Sequence, residues 1–419
     1  MSPLRVLLLV VVPVLLINLL TGKYGKLLFI DTLVLLHIFW IILTVTIHHP
    51  NLAIQYAGSN TILILGGYLV GRASIRNIED FRSLSRTIAG AVLISLPFAL
   101  AEARTGIMYI PRLLDNIPGI TSAADVLYIP RMGLHRVQFV FVHPIHYGLF
   151  CSIAASFVFL GLKGTMSTAS RMILTAVALL CCFLSVSSGP FLSVLVQIFL
   201  IVWLSAMRNV KKKWRLLGII LLVMYLMAEV ASNRPAIFAI VSRLSFSAST
   251  ANVRMVLFDY GVAQIIRTPI LGVGFRDFGL PTWMTGSIDN FWLLQAVIFG
   301  MPTLIFLATA IILAIRGVFK TDASGNQAFE SARYAWSFTM VSLALTLATV
   351  AIWGGMLTVF YLIFASGIWM MYGDHAERTA EPPLQGSPHT HATRHTRFAE
   401  KKSRPGLNAV PDSEKVLVD

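Results

Sequence analysis

The first 372 positions alternate between long uninterrupted apolar runs and short polar clusters. The runs are of the length needed to cross a hydrocarbon core as a helix, about 17–25 residues, and too long for strands. Eleven spans are predicted, at 4–21, 27–47, 52–71, 87–103, 139–162, 172–187, 190–206, 216–231, 291–315, 334–353 and 357–372. Spans six and seven are separated only by Ser-Ser-Gly-Pro, so they form either two crossings or a re-entrant pair. The pattern predicts an all-α, polytopic integral membrane protein with about eleven transmembrane helices. Two polar intervals are much longer than the rest, 104–138 and 232–290. Loops of that size are usually functional or disordered. These keep apolar periodicity, as in PAIFAIVSRLSF and NVRMVLFDYGVAQIIR, which predicts short amphipathic helices on the membrane surface. Residues 1–372 are read as the membrane domain. Residues 373–419 are polar, basic and proline-bearing, and are expected to form a disordered tail.

Composition agrees. Of 419 residues, 56% are hydrophobic and only 12% charged, and mean hydropathy is +0.76. A soluble domain carries about 25% charged residues. Cys151, Cys181 and Cys182 all lie inside apolar runs, where packing is a better reading than a disulfide framework. The first run has the look of a signal peptide but lacks a small-x-small cleavage site before Gly-Lys-Tyr-Gly-Lys, so it is read as a retained span.

Charge orients the chain. One set of loops carries sixteen basic residues, including Lys23, Arg72, Arg76, Lys163, Arg208, Lys211, Arg316 and Arg333, and the tail adds seven. The positive-inside rule makes that set and the C-terminus cytoplasmic, which puts the two long loops, 104–138 and 232–290, on the opposite, outer face. The net charge of +14 then serves orientation and lipid contact. The basic residues are spread over membrane-adjacent loops, which excludes nucleic acid as the expected partner.

The opposite face carries ten basic residues, and all are arginine: Arg5, Arg104, Arg112, Arg131, Arg136, Arg234, Arg243, Arg254, Arg267 and Arg276. All ten lysines fall on the cytoplasmic side. A guanidinium offers a rigid fork that binds phosphate oxygens in pairs and tolerates desolvation better than an ammonium. The functional reading is an outward-facing site for a phosphorylated anion. The plain alternative is compositional, because arginine outnumbers lysine overall.

Other candidates cluster near the outer face. In HRVQFVFVHPIHYG, Arg136 stands at the mouth of span five, and His143 is expected about 10 Å deeper, with His146 beyond it. Pro144 is expected to loosen that helix and free carbonyls. An intramembrane histidine is either functional or satisfied by a neighbouring helix. Two histidines alone do not make a metal site. Asp289 opens span nine. Either Asp289 or Ser287 is a natural helix cap, yet a carboxylate at the mouth of a low-dielectric cleft is also a plausible general base. The stretch Gly272-Val-Gly-Phe follows no strand of a βαβ unit, so it reads as a tight turn returning the loop to the membrane. His389, His391 and His395 belong to the solvated tail.

Arg254, an apolar helix, Arg267-Thr-Pro-Ile-Leu-Gly-Val-Gly, a polar pair and a span with Gly300-x-Pro302 follow one another in the second loop. Together with the stretch from Arg136 to His146, this resembles the O-antigen ligase and Wzy-type polysaccharide polymerase superfamily of bacterial inner membranes. The resemblance covers most of residues 20–372. It implies a glycosyltransferase acting at the periplasmic face on a glycan carried by undecaprenyl pyrophosphate, with membrane lipids around it and without a cofactor, metal or nucleotide. It implies a flippase and a chain-length regulator as pathway partners. By family position Arg136 and Arg254 hold the pyrophosphate, and Arg267 and Arg276 complete the candidate set. Asp289, His143 and His146 are the candidate catalytic residues. Family ligases carry a histidine where this chain has Asp289, which favours an exopolysaccharide, capsule or O-antigen polymerase over a ligase. The rival class is a lipid-linked sugar transporter or flippase. It is disfavoured because Glu102, Glu229 and Asp31 lie near span ends, away from the midplane where ion-coupled transporters bury charge.

Overall fold

A computed structural model describes residues 3–117, 122, 128–231, 248–275, 288–323 and 325–372. Among these residues the fold is all-helical, with two isolated β-bridges and no strand. The helices are α1 (Pro3–Leu20), α2 (Phe29–His48), α3 (Gly58–Ser74), α4 (Ile78–Thr105), α5 (Tyr109–Asp115), α6 (Pro144–Phe159) and α7 (Thr168–Leu184). They continue with α8 (Ser188–Ala206), α9 (Lys213–Ala231), α10 (Ala248–Arg267), α11 (Phe291–Phe299), α12 (Met301–Lys320), α13 (Gln327–Thr346) and α14 (Gly355–Ala365). Six described helices are long and apolar enough to cross a membrane, and the shorter α6 and α7 are also apolar. The chain is a multi-pass membrane protein. Residues 373–419, expected to form a disordered tail, lie outside the described residues.

With no hydrophobic drive between helices in lipid, close backbone approach and polar contacts hold such a bundle together. Both devices are present. Gly67 and Gly71 line the face of α3 that meets α14, where a Cβ on Gly67 would strike the backbone of Thr358. In the bundle centre Ser152 donates to Ser193 over 3.1 Å, Ser193 donates to Ser342 over 3.2 Å, and Gln197 donates to the Ser152 carbonyl over 3.0 Å. These contacts tie α6, α8 and α13 together, and all four side chains are buried. At one end of α2, Asp31 takes the Arg72 Nε–H at 2.9 Å, the Tyr68 hydroxyl at 2.5 Å and the Leu28 backbone N–H at 2.8 Å. Arg72 reaches on to the Tyr372 hydroxyl at 3.0 Å. A buried carboxylate is tolerable only when so fully bonded.

Two expectations about spans are corrected. Span five does not begin at 139. The helix starts at Pro144, because proline's missing N–H and fixed φ suit the first helical position. Pro144 therefore starts the helix and does not loosen it, and His143 sits at its entrance instead of about 10 Å inside it. Span nine is not continuous. It breaks at Gly300 (φ 86°) into α11 and α12.

The break is closed by the loop before it. The Val273 N–H donates to Val297 O at 2.8 Å, Gly274 to Ile298 O at 3.0 Å and Met301 to Pro269 O at 2.8 Å. Gly272 and Gly300 both have positive φ, and a Cβ on either would collide with the backbone it meets. The Gly-Val-Gly turn expected from the sequence is thus a strip laid along the broken helix, donating to the carbonyls that the break leaves unused and accepting the Met301 N–H. Trp40, His48 and His49 of the α2 end fix it. Trp40 donates to Phe299 O at 3.0 Å, and the Phe275 N–H donates to His49 Nε2 at 2.9 Å.

Candidate active site

Three segments distant in sequence converge near the entrances of α6 and α11. The first is 128–143. Arg136 is half-buried, and its Nη2 donates to Ser187 Oγ at 2.9 Å, at the corner between α7 and α8. Its guanidinium lies 5.4 Å from the centroid of the Tyr128 ring. The second is α10, an amphipathic helix where the sequence predicted one, which carries Arg254. The third is the start of α11, with Asp289.

These groups feel one another. Burial pushes the Arg136 guanidinium down to about 10, the charge of Arg131 lowers it further, and Tyr128 and Asp289 oppose the shift. Burial also lowers Arg254, again with Asp289 opposing and Arg131 reinforcing. Among the described residues three guanidinium groups and one carboxylate thus share a field. Cations crowded in a desolvated place are strained, and a polyanion placed among them relieves that strain.

The cap assignment is settled differently from either expectation. Asn290, not Asp289 or Ser287, caps α11, with its Oδ1 accepting the Leu293 N–H at 3.0 Å. Asp289 is half-buried beside the arginines and is not needed for that cap.

The histidines form a ladder of rings. His143 caps α6, its Nδ1 accepting the Ile145 N–H at 3.1 Å. With that lone pair committed, the other ring nitrogen carries the hydrogen in the neutral form, so His143 is built to donate. Burial, then the charges of Arg136 and Arg131, pushes it down to about 4. Tyr128 stands edge-on to His143 at 4.9 Å, and Trp353 stands edge-on to His146 at 4.2 Å. His146 is fully buried, with the Ala351 backbone beside its ring.

Residues 173–308 match the O-antigen ligase family. The match takes in Ser187, Arg254 and Asp289, about a third of the chain. It bears out the resemblance read from the motifs, and it supports transfer of a lipid-linked glycan in general. No curated protein matches the chain.

Of the sequence-predicted site residues, Arg136, His143, Arg254 and Asp289 lie in these converging segments, and His146 follows in the first turn of α6. Arg267 is exposed at the far end of α10, thirteen residues or about 20 Å along the axis from Arg254. Arg276 lies outside the described residues, as do Arg243 and the stretch 276–287. Sequence reasoning missed Tyr128, Ser187 and Trp353 as site residues. Ser187 had a local signal in the Ser-Ser-Gly-Pro break. Trp353 had none, since only the fold brings the α14 entrance to α6.

Proposed function

We propose that the protein is a polysaccharide polymerase of the bacterial inner membrane that joins oligosaccharide repeats carried on undecaprenyl pyrophosphate at the periplasmic face. Arg136 and Arg254 hold the pyrophosphate leaving group, and stabilising its developing charge is the largest catalytic contribution. Asp289 accepts the proton of the acceptor hydroxyl as oxygen attacks the anomeric carbon and the carbon–pyrophosphate bond breaks. His143 donates through its free ring N–H. The observation that carries this reading is the meeting of Arg136, Arg254 and Asp289, within a chain whose residues 173–308 match a lipid-linked glycan transfer family.

Eleven crossings, with 104–138 and 232–290 in the periplasm and the tail in the cytoplasm, provide the matching topology. Asp289 in the place where family ligases resemble one another in having histidine favours polymerisation. The ligase description of the matched family favours a second reading, transfer of a finished lipid-linked glycan to another acceptor. Gene deletion separates them. Accumulated single lipid-linked repeats mark a polymerase, and accumulated long lipid-linked chains mark a ligase. Intermediates trapped on the cytoplasmic side contradict both and indicate a flippase.

A further inference from the structure

Glu102 sits in the last turn of α4, where a carboxylate opposes the helix dipole, and it is only 3% exposed. A buried anion at that end of a helix needs compensation. It is met by consecutive backbone N–H groups from the loop carrying Arg136. Gln138 donates to Oε1 at 2.7 Å and Phe139 to Oε2 at 3.1 Å. Phe139 is a non-glycine residue at φ 55°, and successive N–H groups with one residue in the left-handed region form an anion-binding concavity. Here an internal carboxylate fills it.

The rest of the loop is pinned on both sides. His135 N–H donates to Ala103 O at 3.0 Å, and Val137 N–H donates to Leu184 O at 3.1 Å. Arg136 therefore projects from a stretch whose backbone is fixed at 135, 137, 138 and 139. Its head is fixed separately by Ser187, which in turn donates to Ser185 O at 2.9 Å.

We infer that Glu102 is the positioning residue that holds Arg136 in place by filling the backbone concavity at Gln138 and Phe139. This rests on the proposed role of Arg136 as a pyrophosphate ligand. Glu102 touches no substrate and acts only through the loop. The strained φ at Phe139 is maintained by the carboxylate, and its loss lets the loop relax and swing the guanidinium away from Ser187.

The test is a double-mutant cycle on the full-length protein in lipid, using an undecaprenyl-pyrophosphate-linked repeat as donor. Glu102→Gln and Glu102→Ala are each made with Arg136 intact and with Arg136→Ala, and donor KM, kcat and Tm are recorded. With Arg136 intact, Glu102→Ala is expected to raise donor KM about 10–100-fold, the scale of a misplaced binding group. Glu102→Gln keeps one acceptor oxygen and is expected to fall between Ala and wild type. In the Arg136→Ala background either change is expected to add less than about 3-fold, while any loss of Tm is the same in both backgrounds. An equal fold-loss in both backgrounds, or none with Arg136 intact, overturns the inference. A wild-type donor KM for Arg136→Ala alone instead overturns the pyrophosphate role of Arg136. If Glu102→Ala does not fold, the Gln variant carries the same comparison.

Discussion

Asp289 and Asn290 are neighbours with opposite expected roles, which allows a sharp comparison. Asn290 caps α11 through the Leu293 N–H, so Asn290→Ala removes a cap and costs about 0.5–2 kcal/mol of stability. Its amide oxygen is committed to that cap and it carries no charge or titratable proton, so turnover at a permissive temperature is expected to stay near wild type. Asp289→Asn leaves that cap in place and keeps the volume of the side chain. It removes a proton acceptor, and the expected loss in rate is about 10²–10⁴-fold, or about 3–5 kcal/mol of barrier at 1.36 kcal/mol per decade. Polymer formed from a defined lipid-linked repeat is measured alongside Tm. The expected result is a crossed pattern in which the Asn290 variant loses stability and the Asp289 variant loses turnover. An Asp289→Asn protein with wild-type turnover would refute the base assignment and return the search to His143 and His146.

Other predictions follow from the same geometry. His143 is held near 4 in the folded protein against 6.5 for an unperturbed histidine. Between those values the unfolded chain binds the proton and the folded chain does not, so stability falls as pH drops through 6.5 and levels off below about 4. His143→Asn, which can still cap α6, should flatten the dependence of Tm on pH between 7 and 4.5, and an unchanged slope would contradict the assignment. Gly67→Val forces a side chain against the backbone of Thr358 and should destabilise by about 1–3 kcal/mol or more, read as a lower Tm and reduced yield. Single cysteines at Ser122 and Thr250, with the three native cysteines replaced, should react with an impermeant thiol reagent in intact spheroplasts. Protection of both sites together with labelling of a tail cysteine would invert the topology.

The bundle was legible because apolar runs in lipid have few ways to fold. The helix carrying Arg254 was legible from its periodicity, and the set of loops whose basic residues are all arginine pointed to Arg136 and Arg254. The boundaries at function were harder to read. In the sequence Pro144 reads as a defect inside a helix, although proline is equally at home as a helix's first residue. The break of span nine was written in Gly300 and Pro302, but hydropathy averages over a single glycine. Trp353, Ser187 and Tyr128 meet the site only through packing of elements far apart in sequence. Glu102 was read as an unremarkable charge near a span end, since nothing local tells that its oxygens meet the amides of Gln138 and Phe139.

The central claim is that Arg136 and Arg254 grip a lipid pyrophosphate through paired hydrogen bonds. The most direct measurement is glycan transfer and release of undecaprenyl pyrophosphate by purified protein in lipid, comparing wild type with Arg136→Lys and Arg254→Lys at equal protein levels. A lysine keeps the charge but not the fork. The account predicts release and chain growth by the wild type and severe loss of both in each lysine variant, and full activity in both lysine variants would contradict it.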